Sequence, residues 1–186
     1  MSLESDVAAV LRNDPAGRIT FKVENILVSK AQMEDVAKAI ESKDVALETG
    51  STGGQLGAAY SSFVSRRWTA GERKIIGKIT LSGPDIVKAP LGRAAVFHES
   101  VHALVDVKGL TVTMHNDEVV AYIADAMYLR ATKTSVSGGK AEMAIYTAAF
   151  SLVDTKQLLT KPGVTLSWAD CDALRTAIKA HPAYGG

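Results

Sequence analysis

The sequence predicts an α+β fold, on three observations. Strand-like alternation falls in the first half of the chain, capped helical periodicity fills the second, and 186 residues suffice for one sizeable core. Strands followed by helices argue for a small, mostly antiparallel sheet carrying helices, not a parallel α/β sheet. We read one domain over 1–186, strand-rich over 15–85 and helical over 90–181.

Taken in order, Ile19, Phe21 and Val23 alternate with Thr20, Lys22 and Glu24, which turns one strand face inward. Ser29 with Gln32 forms a capping-box pattern ahead of Met33, Val36, Ala37 and Ile40 at helical spacing. The glycine cluster from Gly50 to Gly57 lacks the Lys-Ser/Thr pair of a phosphate-binding loop and reads as a connection between strands. Two further strands follow, Ala58 to Val64 and Lys74 to Leu81, joined through a turn containing Gly71. Pro90 suits the first position of a helix ending near Gly109. A second helix is expected from Asn116 through Arg130, with Asp117 and Glu118 in the first turn where the helix dipole favours acids. A third follows Gly138-Gly139 to about Leu159. Ser167 with Asp170 caps a fourth that stops before Pro182.

Composition removes several functions. A net charge of +1 leaves no electrostatic surplus for a polyanion, so nucleic-acid binding has no support. No stretch approaches the roughly 18 apolar residues of a membrane helix. Met1 to Asp6 carries two acids and no basic cluster, unlike a secretory leader, which favours a cytoplasmic location. The single cysteine, Cys171, cannot form an internal disulfide or a sulfur-rich metal site and reads as a small buried hydrophobe.

Two of the four histidines stand four residues apart, in His98-Glu99-Ser100-Val101-His102. On a helix, positions i and i+4 share a face one turn apart, so both imidazoles can reach one ion. Glu99 is rotated away by about 100° and can meet metal-activated water without being a ligand. Phe97, Val101, Leu104 and Val105 make this helix a buried one, where two histidines and a glutamate are costly without a partner such as a metal. A fortuitous motif predicts instead that the two imidazoles face apart or into solvent. Zinc needs a third ligand. Lys108 occupies the position where a metzincin has its third histidine, which excludes that class. Glu118 ranks first, because its helix can fold back antiparallel after a short connection, with Ala121 and Ala124 allowing close packing. Asp106, one turn past His102, is a candidate ligand or partner of His102, and His115, in an expected loop, is a third.

The pair His98-Glu99-x-x-His102 with downstream Glu118 resembles the gluzincins, the thermolysin-like branch of the zincin metallopeptidases, over about residues 91 to 125. The resemblance implies zinc held by His98, His102 and Glu118, Glu99 as catalytic base, and a peptide or protein substrate, in a zincin-like fold of minimal size. Where the family often has an Asp four residues after the third ligand, this chain has Tyr122. Asp125 or Asp106 would then orient a histidine. Family members commonly add a Tyr or His donor for the oxyanion, for which Tyr122 and His115 are candidates. They also bind extended peptide along a sheet edge, a role open to Ala58-Ala59-Tyr60-Ser61-Ser62. Arg66, Arg67 and Trp68 form a basic-aromatic cluster that reads as a solvated turn. The rival reading is a non-catalytic module of the same fold that keeps the metal site for stability or for binding a partner.

Overall fold

The structure, a computed structural model, describes residues 2–53, 57–63 and 75–185. It opens with a helix outside the sequence expectations, α1 (Leu3–Arg12). Ser2 caps it by accepting from the Ser5 N–H, and Val7, Ala8 and Leu11 bury one face completely. β1 (Phe21–Val23) keeps the expected alternation, with Phe21 and Val23 inward, and pairs antiparallel with β2 (Ile26–Val28). α2 (Lys30–Glu41) starts at the expected cap, the Ser29 hydroxyl accepting from the Gln32 N–H, and buries Met33, Val36, Ala37 and Ile40.

β3 (Val45–Thr49), β4 (Ala58–Ser62) and β5 (Gly77–Leu81) form a second sheet in the order β3-β5-β4. β4 and β5 are the two expected strands, in antiparallel register, with Ala58 opposite Leu81 and Ser62 opposite Gly77. Val64, Gly71 and Lys74 lie outside the described residues, as do Gly54, Gln55 and Leu56 and the Arg66, Arg67, Trp68 cluster.

α3 (Pro90–Val107) begins at its proline, and α4 (Met114–Thr132) follows a six-residue connection, 108–113. Residues 96–105 of α3 and 118–129 of α4 are buried without a break, the signature of helices at the centre of a fold rather than on its surface. α3 packs against α4, α2, β4, β5 and α1. α4 starts two residues earlier than the expected Asn116 because Thr113 supplies the cap, its hydroxyl accepting from the Asn116 N–H. α5 (Lys140–Thr155) and α6 (Asp172–Lys179) pack against α4 and each other. Ser167 and Asp170 do bond reciprocally, but across the turn before α6 rather than at its first residue. Cys171 is fully buried, and burial pushes its thiol up to about 11.

The architecture is α+β, with one correction to the sheet. In place of one mostly antiparallel sheet, the described residues form two three-stranded sheets, each holding one parallel and one antiparallel pair. The first is completed from the helical half: β6 (Val164–Leu166) lies parallel to β1, Phe21 opposite Val164. Such pairing depends on where α5 delivers the chain, which a three-residue strand does not announce. Among the described residues, no helix is long and apolar enough to cross a membrane.

Candidate metal centre

The two histidines project from the middle of α3 toward the second turn of α4. Their Nε2 atoms converge on one carboxylate: His98 Nε2 lies 3.5 Å from Glu118 Oε2, and His102 Nε2 lies 3.7 Å from Glu118 Oε1. The three ligand atoms fall within 4.8 Å of one another. Ligands sharing a tetrahedral zinc are spaced by about 3.3 Å, given metal–ligand bonds of roughly 2.0–2.1 Å, so small adjustments close the site around an ion. All three side chains are buried, and Glu118 Oε2 has no hydrogen-bond partner among the described residues. An orphaned carboxylate oxygen facing two imidazole nitrogens is a poor arrangement for an empty core and a good one for a cation. The group can hold a metal ion. The histidines do not face apart, as a fortuitous motif requires.

The residue that orients His102 is Asp117, which the sequence reading placed only as a helix-dipole acid. His102 Nδ1–H donates to Asp117 Oδ2 at 2.8 Å, which directs the Nε2 lone pair at the cluster. Asp106, a candidate ligand or partner of His102, stands in neither place. Its Oδ2 accepts from the Tyr60 hydroxyl at 2.8 Å, and the Tyr60 ring stacks near His102 with centroids 6.5 Å apart. Asp106 thus reaches His102 only through Tyr60. His115 sits in the first turn of α4, not in a loop, and its Nε2 meets the Tyr184 carbonyl oxygen at 3.1 Å, away from the triad. Asp125 accepts from the Tyr146 hydroxyl at 2.8 Å, and no hydrogen bond joins it to His98. Tyr122 does stand at the site, its ring edge-on to His98 with centroids 4.7 Å apart. Its hydroxyl meets that of Tyr184 at 3.1 Å.

Charge in the cluster is arranged as protons held where an ion would sit. Burial works to lower His98 and His102, but the facing carboxylates win: Glu118 raises His98, and Asp117, Glu99 and Glu118 push His102 up to about 10. For Glu118 burial works upward, yet His98, His102 and the Tyr184 hydroxyl hold its carboxyl below the ordinary value. Glu99 goes the other way. Burial raises it, only partly offset by the imidazoles and the Tyr60 backbone N–H. Two cavities meet at Glu99, one of about 350 Å³ on the His98 side and one of about 210 Å³ on the His102 side.

Sequence reasoning named the triad and Glu99 but missed Asp117, Tyr60 and Tyr184. Asp117 carried a usable signal, since it precedes the third ligand in the same helical turn. Tyr184 carried none, being brought in from 66 positions beyond Glu118 by the turn after α6. Comparison of the chain with family models, with characterised proteins and with solved structures finds no match.

Proposed function

We propose that the protein is a zinc-dependent hydrolase of peptide bonds, a small gluzincin-like metallopeptidase. The observation that carries the reading is the convergence of His98 and His102 Nε2 on Glu118, with Glu99 beside them at the junction of two cavities. Nitrogen and oxygen donors in this number suit zinc with an open fourth position. Bound zinc supplies Lewis acidity, toward water and toward the scissile carbonyl.

The chain's own residues supply the rest. Glu99 takes a proton from the attacking water as its oxygen bonds to the carbonyl carbon, and passes that proton to the amine nitrogen as the C–N bond breaks. A carboxyl raised by burial suits both halves of that transfer near neutral pH. The Tyr122 and Tyr184 hydroxyls lie on the His98 side, placed to donate to the carbonyl oxygen as it gains charge. β4 offers the substrate a strand edge. The ladder bonds Ser82 N–H to Gly57 and Phe63 N–H to Ile76 fix the alternation. Ala58, Tyr60 and Ser62 therefore turn their backbone groups away from β5, the Tyr60 N–H toward Glu99.

The test is metal analysis combined with two substitutions. Protein purified without chelator should hold near-stoichiometric zinc, and His98→Ala should lose it. Glu99→Gln should keep the metal and lose hydrolysis of a mixed fluorogenic peptide set by about 10²-fold or more. A metal-free wild type, or full activity in Glu99→Gln, defeats the reading.

A further inference from the structure

The cavity on the His98 side has a wall that the hydrolytic chemistry leaves unused. Asp125, on the face of α4 that also carries Glu118 and Tyr122, is 3% exposed and lines this cavity. Its Oδ2 is taken by the Tyr146 hydroxyl, while Oδ1 is buried with no partner among the described residues. Glu142 lines the same cavity from the first turn of α5. It is half-buried and makes no ion pair among the described residues. With Glu99, three carboxyl groups border one space whose lining among the described residues includes His98 and His181 but no lysine or arginine. Elsewhere this chain pairs its acids readily: Glu34 and Glu41 share Arg12, Asp35 takes Lys108, and Asp154 takes Arg130. A buried carboxylate with one oxygen unpaired, in the wall of a cavity with further acids around it, calls for a donor that also brings positive charge.

We infer that this cavity is the specificity pocket of the proposed hydrolase and takes a positively charged nitrogen of the substrate, with Asp125 at its base and Glu142 beside it. This rests on the hydrolase reading for the nature of the substrate. The pocket's volume of about 350 Å³ lies at the small end of ligand sites, suited to one side chain or one chain terminus. The rings of Tyr122 and Tyr146, edge-to-face at 5.7 Å, wall it, and aromatic walls favour a cation. The cationic nitrogen has two sources in a peptide, a lysine or arginine side chain and a free N-terminal amine.

The experiment uses the Glu99→Gln protein purified without chelator, which binds without turnover, and calorimetric titration with alanine-based hexapeptides. The peptides carry lysine or its neutral isostere norleucine at one central position, each with a free or an acetylated N-terminus. At least one positive charge should tighten binding about tenfold or more. Loss on norleucine replacement assigns the pocket to a side chain, and loss on acetylation assigns it to the terminus. Asp125→Asn keeps an oxygen for Tyr146, and Glu142→Gln changes only a half-buried group. Each should reduce the preference severalfold, and Glu142→Gln covers the case in which the Asp125 variant fails to fold. Equal binding of charged and neutral peptides, or a preference that survives in both variants, overturns the inference. Zinc content measured on the same samples separates the two readings. Zinc present without charge preference sinks the pocket alone, and charge preference without zinc sinks the hydrolase alone.

Discussion

Replacing Asp117 by Asn should separate two things its carboxylate does for His102. The pair is largely buried, with side chains 10% and 23% exposed, and its Nδ1···Oδ2 distance is 2.8 Å. Burial works against the imidazolium, yet Asp117, Glu99 and Glu118 push His102 up to about 10, against 6.5 ordinarily. At pH 7 the metal-free ring is therefore almost wholly protonated, and an ion must displace that proton to reach Nε2. Zinc affinity should climb by up to about tenfold per pH unit on this account, roughly a hundredfold between pH 7 and 9. Asn retains an oxygen for the Nδ1–H but not the charge. The proton is then held less tightly, so the climb flattens. The weaker orientation of the ring costs about 10–100-fold in affinity, or roughly 1.4–2.7 kcal/mol, once proton competition fades. The curves for wild type and Asp117→Asn should diverge as pH rises and draw together near pH 6.5. Stability of the metal-free protein follows the opposite sign. Because the folded pKa is raised, His102 contributes fully below about pH 6.5 and loses its contribution as pH rises toward about 10. Metal-free wild type should lose stability across that window, and Asp117→Asn should lose less. Competition with a chromophoric chelator from pH 6.5 to 9, beside urea unfolding of the stripped proteins, measures both. Parallel affinity curves, or identical ones, would refute the assignment of Asp117 to His102.

Three other outcomes are expected. Stripping the metal should lower Tm in calorimetry, since an ion present at about a thousand times its Kd contributes roughly 4 kcal/mol; an unchanged Tm means no ion was bound. Tyr184→Phe should reduce kcat by about 10²-fold while zinc content stays constant, as expected for an oxyanion donor that is not a ligand; loss of zinc instead would make its role structural. Gly77→Ala would drive a Cβ into the Tyr60 hydroxyl and ring. The Tyr60 ring would have to leave Asp106, at about 1–3 kcal/mol in urea unfolding, and an undisturbed stability would show that Tyr60 is not seated across β5.

What was legible in the sequence was local. The Ser29 cap of α2, Pro90 at the head of α3 and the i, i+4 histidines all act within one or two turns of themselves, and each stands where its pattern implies. Near misses were local too. Thr113 caps α4 ahead of the expected start at Asn116, and that shift of two residues moves His115 from loop to helix. α1 carries a local signal as well, in the Ser2 cap and in Val7, Ala8 and Leu11 on one helical face.

The partners of the site were not legible, for a physical reason. Tyr60, Asp106 and Tyr184 act through contacts across 46 to 69 positions, made by sheet register and by the turn after α6. β6 joins β1 on the same terms. The sequence by itself determined that two imidazoles and a glutamate share a turn of a buried helix, because helical geometry leaves no other result. Only the tertiary structure decided which carboxylate faces them, which one orients His102, and that Asp125 accepts from Tyr146 in a cavity wall instead of supporting His98. Those choices depend on how α3 and α4 are packed and on what the remaining elements lay against them, and no spacing along the chain encodes that.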